Sequence, residues 1–137
     1  MCSSDLGVML PALARAAAER DLGGLEFAIG IPGSIGGALQ TNAGIGDGRC
    51  IGDLVQAVDV WRQDAIVTLP RAAITFDYRT TSLRGSGDIV LGATLRLVPR
   101  PRAEIDAEMR RLLEAMGDTG PFLYPFKRIL FWGRKPE

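Results

Sequence analysis

The run Gly30-Ile31-Pro32-Gly33-Ser34-Ile35-Gly36-Gly37-Ala38-Leu39-Gln40-Thr41-Asn42-Ala43-Gly44 concentrates the groups that let a ligand approach main chain. Gly33, Gly36, Gly37 and Gly44 lack a Cβ, so the backbone there has access to positive φ and can present bare amides to a phosphate or to the edge of a heteroaromatic ring. Ser34 and Asn42 add side-chain hydrogen-bonding capacity. Inside a helix or strand each such glycine would cost about 0.5–1 kcal/mol relative to alanine, so the density of glycine points to a binding loop. A second pair, Tyr78-Arg79, sets a rigid phenol beside a planar cationic fork matched to a carboxylate.

Other readings of the glycines are open on spacing alone. A dinucleotide fingerprint requires G-x-G-x-x-G between a strand and a helix, and Gly30 to Gly36 has different spacing. A Walker loop requires a closing Gly-Lys-Ser/Thr, which the chain lacks. A glycine-rich surface turn is the plain alternative. By itself, a Tyr-Arg dipeptide is most often a half-exposed edge residue beside a surface charge.

Composition narrows the chemistry. The 137 residues hold 16 basic and 16 acidic side chains, so no net basic field attracts nucleic acid or an acidic membrane. Histidine is absent, which removes the commonest general base, the Ser-His and Cys-His nucleophile systems and the usual zinc ligand. Any chemistry must use a cofactor or other groups. Cys2 and Cys50 are too few for a disulfide framework and read as unpaired thiols in a reducing cytoplasm. No apolar run approaches the roughly 18 residues that cross a bilayer. Residues Leu6 to Leu13 imitate a short export core, but an acid and no base precedes them.

The elements that must position these groups follow from periodicity. Leu10 to Leu22 predicts a helix with Pro11 in its first turn and Leu10, Leu13, Ala14, Ala17 and Ala18 on one face, stopped by Gly23-Gly24. Leu54 to Arg62 and Ala65 to Leu69 predict a hairpin turning at Gln63-Asp64. Ile74 to Tyr78 is a weaker strand or turn. Ile89 to Val98 reads as one buried strand ended by Pro99-Arg100-Pro101, and Glu104 to Met116 as a helix with Ile105, Met109, Leu112 and Leu113 on one side.

Several stretches, in order, resemble the UDP-N-acetylenolpyruvoylglucosamine reductase family: Gly24-Leu25-Glu26-Phe27, then Gly30 to Ala38, then Asn42-Ala43-Gly44, then Phe76-Asp77-Tyr78-Arg79 with Ser82. The helix around Leu10-Pro11-Ala12-Leu13-Ala14 and the Ile89-Val90-Leu91 strand also fit, so the resemblance runs from Gly7 to Leu113. It implies an α+β fold, the second half of a two-subdomain, PCMH-like FAD-binding domain, with a linker helix leading toward a substrate domain. The implied activity is reduction of a UDP-sugar enolpyruvyl ether to UDP-N-acetylmuramate by NADPH through FAD, in the cytoplasm, for cell-wall precursor synthesis. The flavin is expected against Ile31, Pro32, Gly33 and Ser34 and the amides of Gly36 and Gly37, with Asn42, Ala43 and Gly44 closing the site. Arg79 matches the family's residue beside the substrate carboxylate, and Tyr78 would orient substrate or arginine. No metal, nucleic acid, membrane or obligate protein partner is implied.

The chain also departs from that pattern. Ile45-Gly46-Asp47-Gly48-Arg49-Cys50 lacks the aromatic expected after Asn-Ala-Gly and is slightly lengthened. The expected division is a non-native leader over 1–6, a partial FAD-binding domain over 7–103, the linker helix over 104–116 and an unassigned tail over 117–137, truncated or out of frame. The family's upstream phosphate loop and its downstream Gly-Ser proton donor are not in the sequence, so the isolated chain is expected to be inactive. Two alternatives stand: another flavin oxidoreductase of the same binding fold, or a noncatalytic module whose aromatic, basic tail contacts a partner.

Overall fold

The computed structural model describes residues 2–5 and 7–116. Residues 117–137, distinct in composition, lie outside them. In chain order the elements are β1 (Cys2–Asp5), α1 (Leu10–Glu19), β2 (Leu22–Gly23), α2 (Ile35–Thr41), β3 (Val55–Arg62), β4 (Ala65–Pro70), β5 (Phe76–Asp77), β6 (Thr80–Thr81), β7 (Ile89–Leu95), β8 (Val98–Pro99) and α3 (Arg102–Ala115), with a 3-10 turn at Glu26–Gly30.

The fold is α+β. A four-stranded sheet in the order β1-β7-β3-β4 is antiparallel throughout, and β2-β8 and β5-β6 form two small ribbons. Residues 2–5 pair along β7, with Cys2 opposite Leu95 and Asp5 opposite Gly92. The β3-β4 hairpin turns at Gln63 and Asp64, both in the left-handed region at φ 47° and 63°, the geometry that matches a two-residue connection to the twist of its strands.

One face of the sheet makes the core. Val58, Val60 and Leu95 are fully buried against Leu10, Leu13, Leu25, Ile35, Leu39 and Ile105, which join the helices and the 3-10 turn in a single cluster. Each such side chain contributes about 1.5–3 kcal/mol by leaving water. The predicted face of α1 is the buried one.

Three expectations need correction. Helix α1 stops at Glu19, before Gly23-Gly24, because Asp21 takes φ 55° and breaks the repeat. The strand expected over Ile89 to Val98 divides into β7 and β8 and is buried on one face only, with Ile89 and Leu91 exposed on the other. The glycine-rich segment is not all loop: Ile35–Thr41 is helix α2, and of its four singled-out glycines Gly33 has positive φ.

Candidate functional site

Two loops bound an open cleft of about 560 Å³. One rim is Gly30, Ile31, Pro32, Gly33 and Ser34, leading out of the 3-10 turn; the other is Ala43, Gly44 and Ile45, leading out of α2. Gly37, Ala38 and Thr41 of α2 form the wall between them, and Arg79 and Met116 complete the lining with Leu10.

The first rim is pinned to the start of α1. The amide of Leu10 donates to the Gly33 carbonyl at 2.9 Å, and the amide of Ile35 to the Val8 carbonyl at 2.9 Å. Gly33 has φ 132°, a conformation that side chains with a Cβ rarely adopt, and space is open where a Cβ would stand. Ser34 caps α2, its Oγ accepting the Gly37 amide at 3.2 Å. The second rim begins where α2 ends. Asn42 takes the left-handed cap at φ 48°, its Nδ2 donates to the Asp77 carbonyl at 3.0 Å, and its Oδ1 accepts the Gly52 amide at 3.0 Å. The amide of Ile51 donates to the Ala43 carbonyl at 2.8 Å, closing the 44–50 loop at its base.

Arg79 reaches the cleft from a separate ribbon. β5 and β6 pair Asp77 with Thr80, so Tyr78 and Arg79 are the two residues of a tight turn. Arg79 sits at φ 58°, which costs a residue with a Cβ about 1–2 kcal/mol. Its guanidinium carbon stands 5.7 Å from the centre of the Tyr78 ring. The ribbon is fastened to α2 by the buried Thr81, whose hydroxyl donates to the Leu39 carbonyl at 2.7 Å and accepts the Leu83 amide at 3.3 Å. Ser82, read with this motif, accepts the Thr75 amide at 3.0 Å and so shapes the ribbon.

Of the residues singled out in the sequence, Ile31, Pro32, Gly33, Ser34, Gly37, Ala43, Gly44 and Arg79 share the cleft lining. Gly36, Asn42 and Tyr78 are not part of it. Asn42 has both ends of its amide engaged by main chain, so its role here is to join α2 to β5 and to the turn at Gly52. Tyr78 points its ring into solvent, 88% exposed. Thr41, Ile45 and Met116 line the cleft without having been foreseen. Thr41 falls at i+4 from Gly37, a helical spacing that becomes visible only once α2 is recognised as a helix.

Behind the cleft runs an ion-pair relay. Glu26, 4% exposed, accepts the Gly24 amide at 2.8 Å and pairs with Arg100 at 2.9 Å. Arg100 also pairs with Glu108 on α3, and Glu108 with Arg49 at 3.2 Å. Burial pushes the Glu108 carboxyl up, and the guanidiniums of Arg100 and Arg49 outweigh it, holding the group below the ordinary glutamate value. The Asp47 carboxylate raises the Arg49 guanidinium further. Among the described residues no group of three His, Cys, Asp or Glu side chains is placed to hold a metal, and no helix is long and apolar enough to cross a membrane.

No family model matches the chain. The crystal structure of UDP-N-acetylenolpyruvylglucosamine reductase (MurB) from Thermus caldophilus superposes with a TM-score of 0.76 at 35% identity, over 83% of this chain and 42% of that one. UDP-N-acetylenolpyruvoylglucosamine reductase of Agathobacter rectalis is 38% identical over 131 residues, 96% of this chain and 41% of that protein. The Moorella thermoacetica protein of the same name is 45% identical over 112 residues, 77% of this chain and 36% of that protein. This chain belongs to the UDP-N-acetylenolpyruvoylglucosamine reductase family. It spans about two-fifths of the length of the curated reductases it matches. The α+β fold that the resemblance implied for this part of the reductase is the fold observed.

Proposed function

We propose that this chain supplies one wall of the active site of a UDP-N-acetylenolpyruvoylglucosamine reductase, with the ring end of FAD in the cleft and Arg79 beside the enolpyruvyl carboxylate of the UDP-sugar. The observation that carries the reading is the placement of Arg79, which a separate ribbon delivers to a cleft with glycine main chain on both rims.

The residues present suit such a group. Gly33 leaves bare backbone on the first rim, and Gly44 lies so close to its loop that a Cβ would come within 2.3 Å of the Arg49 carbonyl. The open space at Gly33 lets a flat ring approach the first rim closely, while Ile31 and Ile45 offer apolar contact to its faces. When bound, FAD supplies the redox chemistry, hydride from NADPH passing through it to the alkene. The chain's own contribution is position and electrostatics. Hydride addition to an alkene conjugated with a carboxylate drives negative charge onto that carboxylate. A guanidinium that already lines the cleft meets that charge as it develops, and loss of one such donor costs about 100- to 1000-fold in rate. Tyr78, stacked near the guanidinium, limits the directions in which Arg79 can point. A UDP-sugar substrate of this kind belongs to the cytoplasmic stage of cell-wall precursor synthesis.

The test is a graft. Residues 7–116 replace the corresponding segment of the Moorella thermoacetica reductase, and bound FAD and substrate-dependent NADPH oxidation are measured. The graft is expected to bind FAD and turn over, and Arg79→Gln to lower kcat about 100- to 1000-fold with FAD retained. A folded graft without FAD, or an Arg79→Gln graft of unchanged kcat, would contradict the reading.

A further inference from the structure

The two rims of the cleft belong to segments that share no strand pairing, yet both are tied to one carboxylate on α3. Glu108 Oε1 accepts from Arg49 Nη1 at 3.2 Å, and Glu108 Oε2 accepts from Arg100 Nη1. The same Arg100 nitrogen donates to Glu26 Oε1 at 2.9 Å, and Glu26 opens the 3-10 turn that runs directly into the first rim. On the other side, the main chain of Arg49 lies against Gly44 of the second rim, and Gly44 bridges to Cys50. A displacement of Arg49 therefore moves Gly44.

We propose that Glu108 sets the spacing between the two rims, and that Arg49 is the positioning residue that latches the 44–50 loop to α3. The loop is built for such a latch. Asp47 holds the guanidinium from the solvent side, with Oδ2 2.8 Å from Nε and 2.6 Å from Nη2, and its Oδ1 accepts the Arg49 amide at 3.0 Å. Gly46 and Gly48, at φ 85° and 95°, let the chain turn tightly enough to present Arg49 toward α3. The far end of α3 touches the first rim as well, since a Cβ on Gly30 would meet Met116 Sδ at 2.2 Å. The helix thus spans both rims, and the latch does at the second what packing does at the first. That the space so gauged receives a flavin rests on the function proposed above; the latch itself does not.

Amide hydrogen exchange on the full chain tests the latch without any ligand. Arg49→Ala is expected to raise exchange in residues 44–50 about two- to fivefold, the range for a partly exposed ion pair, and to leave α1 and β3 unchanged. Glu108→Gln should loosen residues 44–50 equally and residues 24–31 in addition. The double variant should add nothing at 44–50, and Arg49→Lys should restore part of the protection. Unchanged exchange at 44–50 in Arg49→Ala, a uniform rise across the chain, or additive effects in the double variant would overturn the latch. In the graft, Arg49→Ala should raise the Kd for FAD by a similar factor. An unchanged Kd beside a loosened loop would overturn the rim-spacing role, and a folded wild-type graft that binds no FAD would refute the flavin reading while leaving the exchange result to decide the latch.

Discussion

At the scale of single residues, the left-handed backbone of Arg79 sets function against stability. Glycine would hold φ 58° without strain, whereas any side chain with a Cβ pays for it. Arg79→Gly and Arg79→Ala both remove the cation, and the glycine variant is expected to be the more stable by about 1 kcal/mol in urea denaturation; equal stabilities would show that the turn is unstrained. The motif Phe76-Asp77-Tyr78-Arg79 was legible in the sequence. Its turn was not, because β5 and β6 are two residues each and too short to show a period. Glu108 was invisible as a hub for a related reason: its partners Arg49 and Arg100 lie 59 and 8 residues away, and only the fold joins them. Since its carboxyl is held below the ordinary glutamate value, Glu108 stabilises the chain above that value, and the contribution is lost as pH falls through the lowered one. Glu108→Gln should therefore flatten the acid limb of a stability-against-pH curve while leaving the neutral-to-alkaline limb unchanged in slope. A slope unchanged in acid would rule out that linkage.

At the scale of elements, α2 shows why a glycine-rich string misleads. Seven residues containing Gly36 and Gly37 would not hold a helix alone in water. Burial decides the matter, since Ile35 and Leu39 are fully covered and Ser34 caps the first turn. Leu39→Ala is expected to cost about 2–5 kcal/mol by leaving a cavity, and Ser34→Ala about 1 kcal/mol by losing the cap. Both are read from denaturant midpoints; a larger loss for Ser34 than for Leu39 would mean that the cap rather than the core holds α2. The hairpin β3-β4 and the helices α1 and α3 were readable because each repeats its apolar residues over two turns or more, or alternates them over several pairs. The division of β7 from β8 was hidden, because the apolar residues run on through Leu97 and Val98.

At the scale of the whole molecule, the sheet has one face in the core and one face outside. Cross-strand pairing lines up Ile66, Trp61 and Ile89 on the outer face, all exposed, with Ile66 on the uncharged edge strand β4. Such an edge invites pairing with another chain. Ile66→Lys should lower light scattering of the concentrated chain without shifting its melting midpoint; a lowered midpoint would place Ile66 in the structural core instead. The cleft lies where the segment after the 3-10 turn, the segment after α2 and the β5-β6 ribbon converge around Arg79. The measurement that bears on it most directly is a crystal structure of the grafted reductase with FAD and substrate bound. We expect the flavin ring between the Gly30–Ser34 and Gly44–Ile45 rims, with the Arg79 guanidinium within hydrogen-bonding distance of the enolpyruvyl carboxylate. A flavin ring seated elsewhere, or an Arg79 turned away from that carboxylate, would contradict the account.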